Sequence, residues 1–139
     1  MKNTKAGNVI FSEADHGRLT ALIDQGGATA YALEDNHSPL EVELNRARVL
    51  PPGKVPPDVV TMDSTVRLRD LSSGRAVTYT LVFPRDADVT ENRISVLAPV
   101  GTAILGCREG DTVEVRAPAG LRRLKIEEVV YQPERASRG

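Results

Sequence analysis

Apolar positions recur at helical spacing in the first third of the chain and at alternating spacing through most of the rest. Leu19, Leu22 and Ile23 form the first helical stripe. The pattern Ser12-x-x-Asp15 opens it as a capping box, and Gly26-Gly27 stops it, which predicts a helix over residues 12–25. A second start follows, with Ser38 as N-cap, Pro39 at the first helical position and Glu41 three residues after the cap. Leu40, Leu44 and Ala47 make its stripe, and Pro51-Pro52 ends it. Helices this short are not stable alone, so packing the two stripes together as an antiparallel hairpin over residues 1–50 is the expected solution. Residues 1–10 are polar and expected to fray, and residues 26–37 carry no clear period.

The proline-rich run 51–57 reads as a stiff linker to a second unit, residues 58–139. There the period changes to two. Val66 and Leu68 alternate with Arg67 and Arg69; Val77, Tyr79, Leu81 and Phe83 alternate with Thr78 and Thr80. Val113 and Val115 alternate with Thr112, Glu114 and Arg116, and Leu124 and Ile126 with Arg123 and Lys125. These are half-exposed antiparallel strands, with turns at Ser72-Ser73-Gly74 and Pro118-Ala119-Gly120. Pro99 to Leu105, followed by Gly106, breaks the alternation and reads as a two-turn helix. The fold class is therefore α+β: a short helical hairpin, then an antiparallel sheet with one short helix packed on it.

Composition narrows the function. Two Phe, three Tyr and no Trp leave a core of Val, Leu, Ile and Ala. A net charge of −1 supplies no global field toward nucleic acid or anionic lipid. Cys107 is single, so it forms no intrachain disulfide and reads as a small filler rather than a nucleophile. His16 and His37 lack partners at ligand spacing, and there is neither a P-loop nor a dinucleotide fingerprint, so no metal or cofactor is expected. With no apolar run long enough to span a bilayer and no leader pattern, a cytoplasmic location is expected, and nothing demands more than a monomer. Arg116, Arg122, Arg123 and Lys125 lie on two paired strands and form a candidate basic patch, although Glu114, Glu127 and Glu128 dilute it. With no aromatic platform beside it, direct sequence-specific recognition of nucleic acid is not expected.

The stretch Arg93-Ile94-Ser95-Val96-Leu97-Ala98-Pro99-Val100-Gly101-Thr102-Ala103-Ile104-Leu105-Gly106, followed by Glu109-Gly110-Asp111-Thr112-Val113-Glu114-Val115, resembles the C-terminal domain of the Gre transcription factors. Pro57-Asp58-Val59-Val60-Thr61-Met62-Asp63-Ser64 and the ending Val130-Tyr131-Gln132-Pro133-Glu134 resemble one branch of that family, the regulators of nucleoside diphosphate kinase. The likeness covers about residues 55–134. It implies an FKBP-like second domain, a short coiled-coil hairpin, and bacterial RNA polymerase as partner, gripped at the rim of its secondary channel. The gripping loop would be Leu97, Ala98, Pro99 and Val100. Read without the resemblance, Ala98-Pro99 is a helix start and Leu97 a core residue.

Gre-type transcript cleavage, as the resemblance implies it, needs a hairpin long enough to reach the polymerase active site and an Asp and Glu at D-x-x-E spacing on its tip. A 14-residue helix spans only about 21 Å. The candidate tip acids are Asp24, Glu34 and Asp35, and they do not have that spacing; read blandly, Glu34-Asp35 is a solvated turn. The expected function is a non-enzymatic regulator that docks at the secondary channel, competes with Gre-type factors and does not stimulate cleavage. The alternatives are a Gre-like cleavage factor, an FKBP-like prolyl isomerase and a module for some other partner.

Overall fold

The computed structural model describes residues 9–24, 39–117 and 120–138. Its centre is a five-stranded sheet built from β3 (Thr65–Asp70), β4 (Ala76–Val82), β5 (Arg93–Ser95), β6 (Thr112–Ala117) and β7 (Gly120–Tyr131), in the order β5-β4-β3-β7-β6. The expected alternation places Val66, Leu68, Leu81, Val113, Val115, Leu124 and Ile126 in the core. Twelve-residue β7 pairs with both β3 and β6, and irregularities in the β3–β7 register let it curl across the sheet.

The sheet is mixed, not purely antiparallel. β5 runs parallel to β4, because residues 83–92 carry the chain back in two 3-10 turns, Pro84–Asp86 and Val89–Glu91. Phe83 falls just outside β4, in the extended conformation that a following proline imposes. The two-turn helix is present as α3 (Pro99–Ile104), and a further short helix, α4 (Pro133–Arg138), closes the described chain. At the first turn, Asp70 Oδ1 accepts from the amides of Ser72 and Ser73 at 2.8 and 3.3 Å, and Gly74 takes φ +77°. Residues 118 and 119 of the second lie outside the described set.

Helices α1 (Glu13–Asp24) and α2 (Pro39–Arg46) form as their stripes require. Leu19, Leu40 and Leu44 are buried, with Leu22, Ile23 and Ala47 packed beside them. His16 Nε2 lies 3.2 Å from the Leu44 carbonyl oxygen, linking the two helices. Both stripes belong to the same cluster as the inner face of the sheet. The segment between the helices, with Glu34, Asp35, His37 and Ser38, lies outside the described residues.

Three further expectations, on the segments flanking the helices, also change. The polar N-terminus does not fray up to residue 10: Val9, Ile10 and Phe11 are buried, and β1 (Ile10–Ser12) pairs in parallel with β2 (Arg48–Leu50). The second helix consequently stops at Arg46, since residues 48–50 are taken by that pairing. The proline-rich run is drawn inward as well. It holds a 3-10 turn, Pro52–Lys54, and Val55 is buried against Ile10 and Val59.

The capping box is half formed. Ser12 Oγ accepts from the Asp15 amide at 3.0 Å, but the Asp15 carboxylate accepts from the Met62 amide at 3.0 Å, 47 residues away. Asp15 is only 5% exposed. Burial is the main cause that raises its pKa from 3.8 to about 6; the Met62 N–H opposes the rise, and the charges of Glu134 and Asp63 add to it. The motif around residues 57–64 is the socket for this contact. Thr61 N donates to Ser64 Oγ at 2.9 Å, Thr61 Oγ1 donates to Glu134 at 2.7 Å, and Asp63 takes φ +67°. Gln132, fully buried, donates from Nε2 to the carbonyls of Pro56 and Val59 at 2.8 and 2.7 Å.

Between pH 4 and 6 the folded protein holds a proton on Asp15 that the unfolded chain has released. This group's contribution to stability is thus greatest below pH 4 and is lost as pH rises through 6, by about 3 kcal/mol. Asp15→Asn keeps an acceptor for Met62 and has no proton to lose. Chemical denaturation at pH 4 and pH 7 should show the variant gaining about 2 kcal/mol on the parent across that interval. A difference that stays constant with pH would refute the assignment.

Candidate functional site

The loop leading into α3 is held rigid by its own backbone. Val96 N donates to Val82 O at 2.9 Å, and Ala98 N donates to Ser95 O at 3.0 Å. Leu97 N donates to Ser95 Oγ at 3.0 Å, and Thr102 Oγ1 donates back to Val96 O at 2.5 Å. Pro99, the first helical residue, has no N–H to satisfy there. Gly101 then lets α3 sit directly on β5: a Cβ at this position would lie 2.1 Å from Ser95 O. Gly106, at φ +81°, ends the helix segment where an added Cβ would meet Val9 at 2.9 Å. A corner with this many internal bonds is ordered before any partner arrives.

The four loop residues do not share one environment. Leu97 turns into the core and anchors the loop from beneath. Pro99 is exposed, while Ala98 and Val100 are half-buried.

Beside Val100 lies a half-open cleft of about 340 Å³. Leu68, Val77, Tyr79 and Leu124 line its floor, and Asp70, Arg75 and Arg122 stand at its rim. Arg122 Nε and Nη2 donate to Asp70 Oδ2 at 3.0 and 2.5 Å, which holds the Asp70 carboxyl below its usual pKa. Sequence reasoning missed this cleft, because Val77 and Tyr79 have the pattern of ordinary core positions.

The candidate basic patch divides between the two faces of the sheet. Arg122 sits opposite Val115 on the inner face and belongs to the cleft rim. Arg123 pairs opposite Glu114, Arg116 opposite Leu121, and Lys125 opposite Thr112, all on the outer face. Adjacent strand residues point to opposite sides, so Arg122 and Arg123 could never have joined one surface. Carboxylates also thread that outer face: Arg67 meets Glu127 and Glu128 at 3.2 and 2.8 Å, Arg69 meets Glu127, and Glu114 lies 4.0 Å from Arg123. Of the hairpin acids, Asp24 is exposed at the end of α1, whereas Glu34 and Asp35 lie outside the described residues. Among the described residues, no cluster of three His, Cys, Asp or Glu is placed to hold a metal ion, and no helix is long and apolar enough to cross a membrane.

Comparison with known proteins identifies the unit that carries this mixed sheet and its proline-started helix as a Gre-type C-terminal domain. Residues 55–131 match the family described as "Transcription elongation factor, GreA/GreB, C-term". The "Regulator of nucleoside diphosphate kinase" of Escherichia coli K12 is 38% identical over 129 residues, 92% of this chain and 93% of that protein. Transcription elongation factor GreA of Hyphomonas neptunium is 37% identical over 137 residues, 95% of this chain and 87% of the relative. Among solved structures, a GreA/GreB elongation factor from Nitrosomonas europaea superposes with a TM-score of 0.73 at 43% identity, covering 89% of this chain and all of that one. The chain belongs to the GreA/GreB transcription elongation factor family, and its similarity to the E. coli regulator runs over nearly its whole length.

Because the Gly101 contact is with backbone, the neighbour cannot rotate away. Gly101→Ala should lower stability by about 3 kcal/mol, read as a drop in Tm, whereas Gly53→Ala, with open space around it, should leave Tm nearly unchanged. Equal melting of both variants would show that α3 is not seated on β5 as described.

Proposed function

We propose that this protein is a cytoplasmic, monomeric transcription regulator that docks on bacterial RNA polymerase at the rim of the secondary channel. It does so through the corner at Ala98, Pro99 and Val100, competes there with Gre-type factors, and does not stimulate transcript cleavage. The observation that carries this reading is the pre-ordered, solvent-facing Pro99 corner, in a chain aligned almost end to end with a regulator of this family. Rigidity matters because a partner then loses little affinity to ordering the loop.

Two features support occupation without cleavage. The described α1 has 12 residues, a rise of about 18 Å. Its stripe is committed to the same core as the sheet, which holds the base of the hairpin down. Holding a catalytic metal would also require acids placed to a fraction of an ångström, and Asp24, Glu34 and Asp35 lack the paired spacing that Gre tips use. A prolyl isomerase needs an aromatic-lined pocket. The cleft beside α3 has one aromatic ring, Tyr79, among its described lining residues.

Two measurements test the reading. Added to a backtracked elongation complex, the purified protein should leave the transcript intact and slow cleavage by an added Gre factor; rapid release of short 3′ fragments would establish the cleavage alternative. Pro99→Asp should weaken binding to core polymerase about tenfold or more with an unchanged circular dichroism spectrum. Wild-type binding by that variant would remove the corner from the interface.

A further inference from the structure

The two edges of the sheet are built differently. β6 forms one of them and carries charges along it, Glu114 and Arg116. At the other edge β5 pairs only with Thr80, Leu81 and Val82 of β4, so residues 76–79 have no strand on that side. Leu81 N donates to Ser64 O at 2.9 Å and Asp70 N to Arg75 O at 2.8 Å, so residues 75, 77, 79 and 81 bond toward β3. Residues 76, 78 and 80 therefore turn their N–H and C=O groups outward. Thr80 N donates to Asn92 O at 2.9 Å, whereas the outward groups of Ala76 and Thr78 make no hydrogen bond among the described residues. Native edges are commonly guarded by charge, proline or a bulge. Ala76-Val77-Thr78-Tyr79 has none of these, and it pairs with β3 in unbroken register.

The slot is complementary to itself. A two-fold axis at Val77 sets Ala76 of each copy opposite Thr78 of the other and satisfies every free backbone group of both. An axis at Thr78 would need Thr80, whose N–H already serves Asn92; an axis at Ala76 would need Gly74, whose N–H already serves Asp70 O at 2.7 Å. The length fits as well. β5 begins beside Thr80, and in this register Thr80 faces Gly74 of the other copy, where φ +77° turns that chain away toward its own β3. The side chains agree. Val77, half-buried, meets its own copy across the axis in a non-hydrogen-bonded pair, the closer kind. Arg75 of each copy stands opposite the half-buried Tyr79 ring of the other, and its guanidinium makes no hydrogen bond or ion pair among the described residues. A net charge of −1 leaves little repulsion between copies.

We propose that a second copy of this chain pairs with the free edge of β4, antiparallel about a two-fold axis at Val77. The five-stranded sheets of the two copies then continue into one another. The contact is small, a short row of backbone hydrogen bonds with side-chain pairs on either face, so the association is weak and depends on concentration. It is a state of the free protein. The docking proposed above concerns the monomer, and the two readings stand separately.

Sedimentation of the full chain from about 1 µM to about 1 mM should show monomer passing to dimer. Thr78→Pro removes an outward N–H without touching the bonds to β3, and should weaken the dimer about tenfold or more. Arg75→Glu, at an exposed position, should weaken it about tenfold. Cross-linking reads the register. With oxidised glutathione as oxidant, Val77→Cys should give a disulfide-linked dimer, because opposed non-hydrogen-bonded residues lie at disulfide distance. Thr78→Cys, opposite Ala76, should not. The native Cys107 is buried and takes no part. If Thr78→Pro melts at a lower temperature, the cross-link and Arg75→Glu carry the test. A parent that stays monomeric to about 1 mM overturns the proposal, as does Thr78→Cys cross-linking as readily as Val77→Cys. Dimerisation that neither Thr78→Pro nor Arg75→Glu alters would place the contact elsewhere and overturn it too.

Discussion

One buried hydrogen bond, from the Met62 amide to the carboxylate of Asp15, fixes where the first turn of α1 meets the chain that begins the sheet, while burial of Leu19, Leu40 and Leu44 holds the helices against the core. Without an acceptor, that amide would be a buried unsatisfied donor in a turn already committed to Asp63 at positive φ. With it, α1 is fixed at its first turn to the residues that begin the sheet. Leu19 and Leu44 then join the apolar cluster that also holds the inner sheet residues, and residues 48–50 are free to pair with β1. The cost is a carboxyl group held where its charge is poorly solvated, near two other acids, Asp63 and Glu134. Arg18 offsets part of it from 3.9 Å.

The segments that resemble the regulator branch acquire a physical meaning from this contact. Residues 57–64 are not a surface signature but the receptor for α1. The ending at residues 130–134 holds that receptor in shape, through Gln132 on the Pro56 and Val59 carbonyls and Glu134 on Thr61. Cooperation between segments some 75 residues apart in sequence explains why neither stretch, taken alone, displays the contact it makes.

Much of this architecture was legible because it is periodic. The stripes at Leu19 and Leu40–Leu44, the alternation along β3, β6 and β7, and the Pro–Gly bracket around α3 each repeat often enough to be read. What escaped was short or non-local. β1, β2 and β5 have three residues each, too few to show a period, and all three pair in parallel with partners chosen by the path of the chain. Asp15 was recognised as a capping residue because its sequence neighbours are all that the pattern displays; its true partner is 47 residues away. At the candidate site, Pro99 was legible from resemblance and Leu97 carried both readings, whereas the cleft depended on how far six residues of helix extend over a face whose positions look alike in sequence.

The socket for α1 has a consequence for engineering. Exchanging N-terminal segments between members of this family is an obvious way to ask what a longer or shorter reach does inside the enzyme. Such a graft cannot be cut at the proline run, since β1, the Gly106 turn that receives it and the 60–64 turn that clasps Asp15 would be inherited from different parents. A hybrid that respects the molecule takes its donor helices together with residues 9–12, the matching 60–64 turn and the matching Gly106 turn, so that each buried joint has both of its halves from one parent.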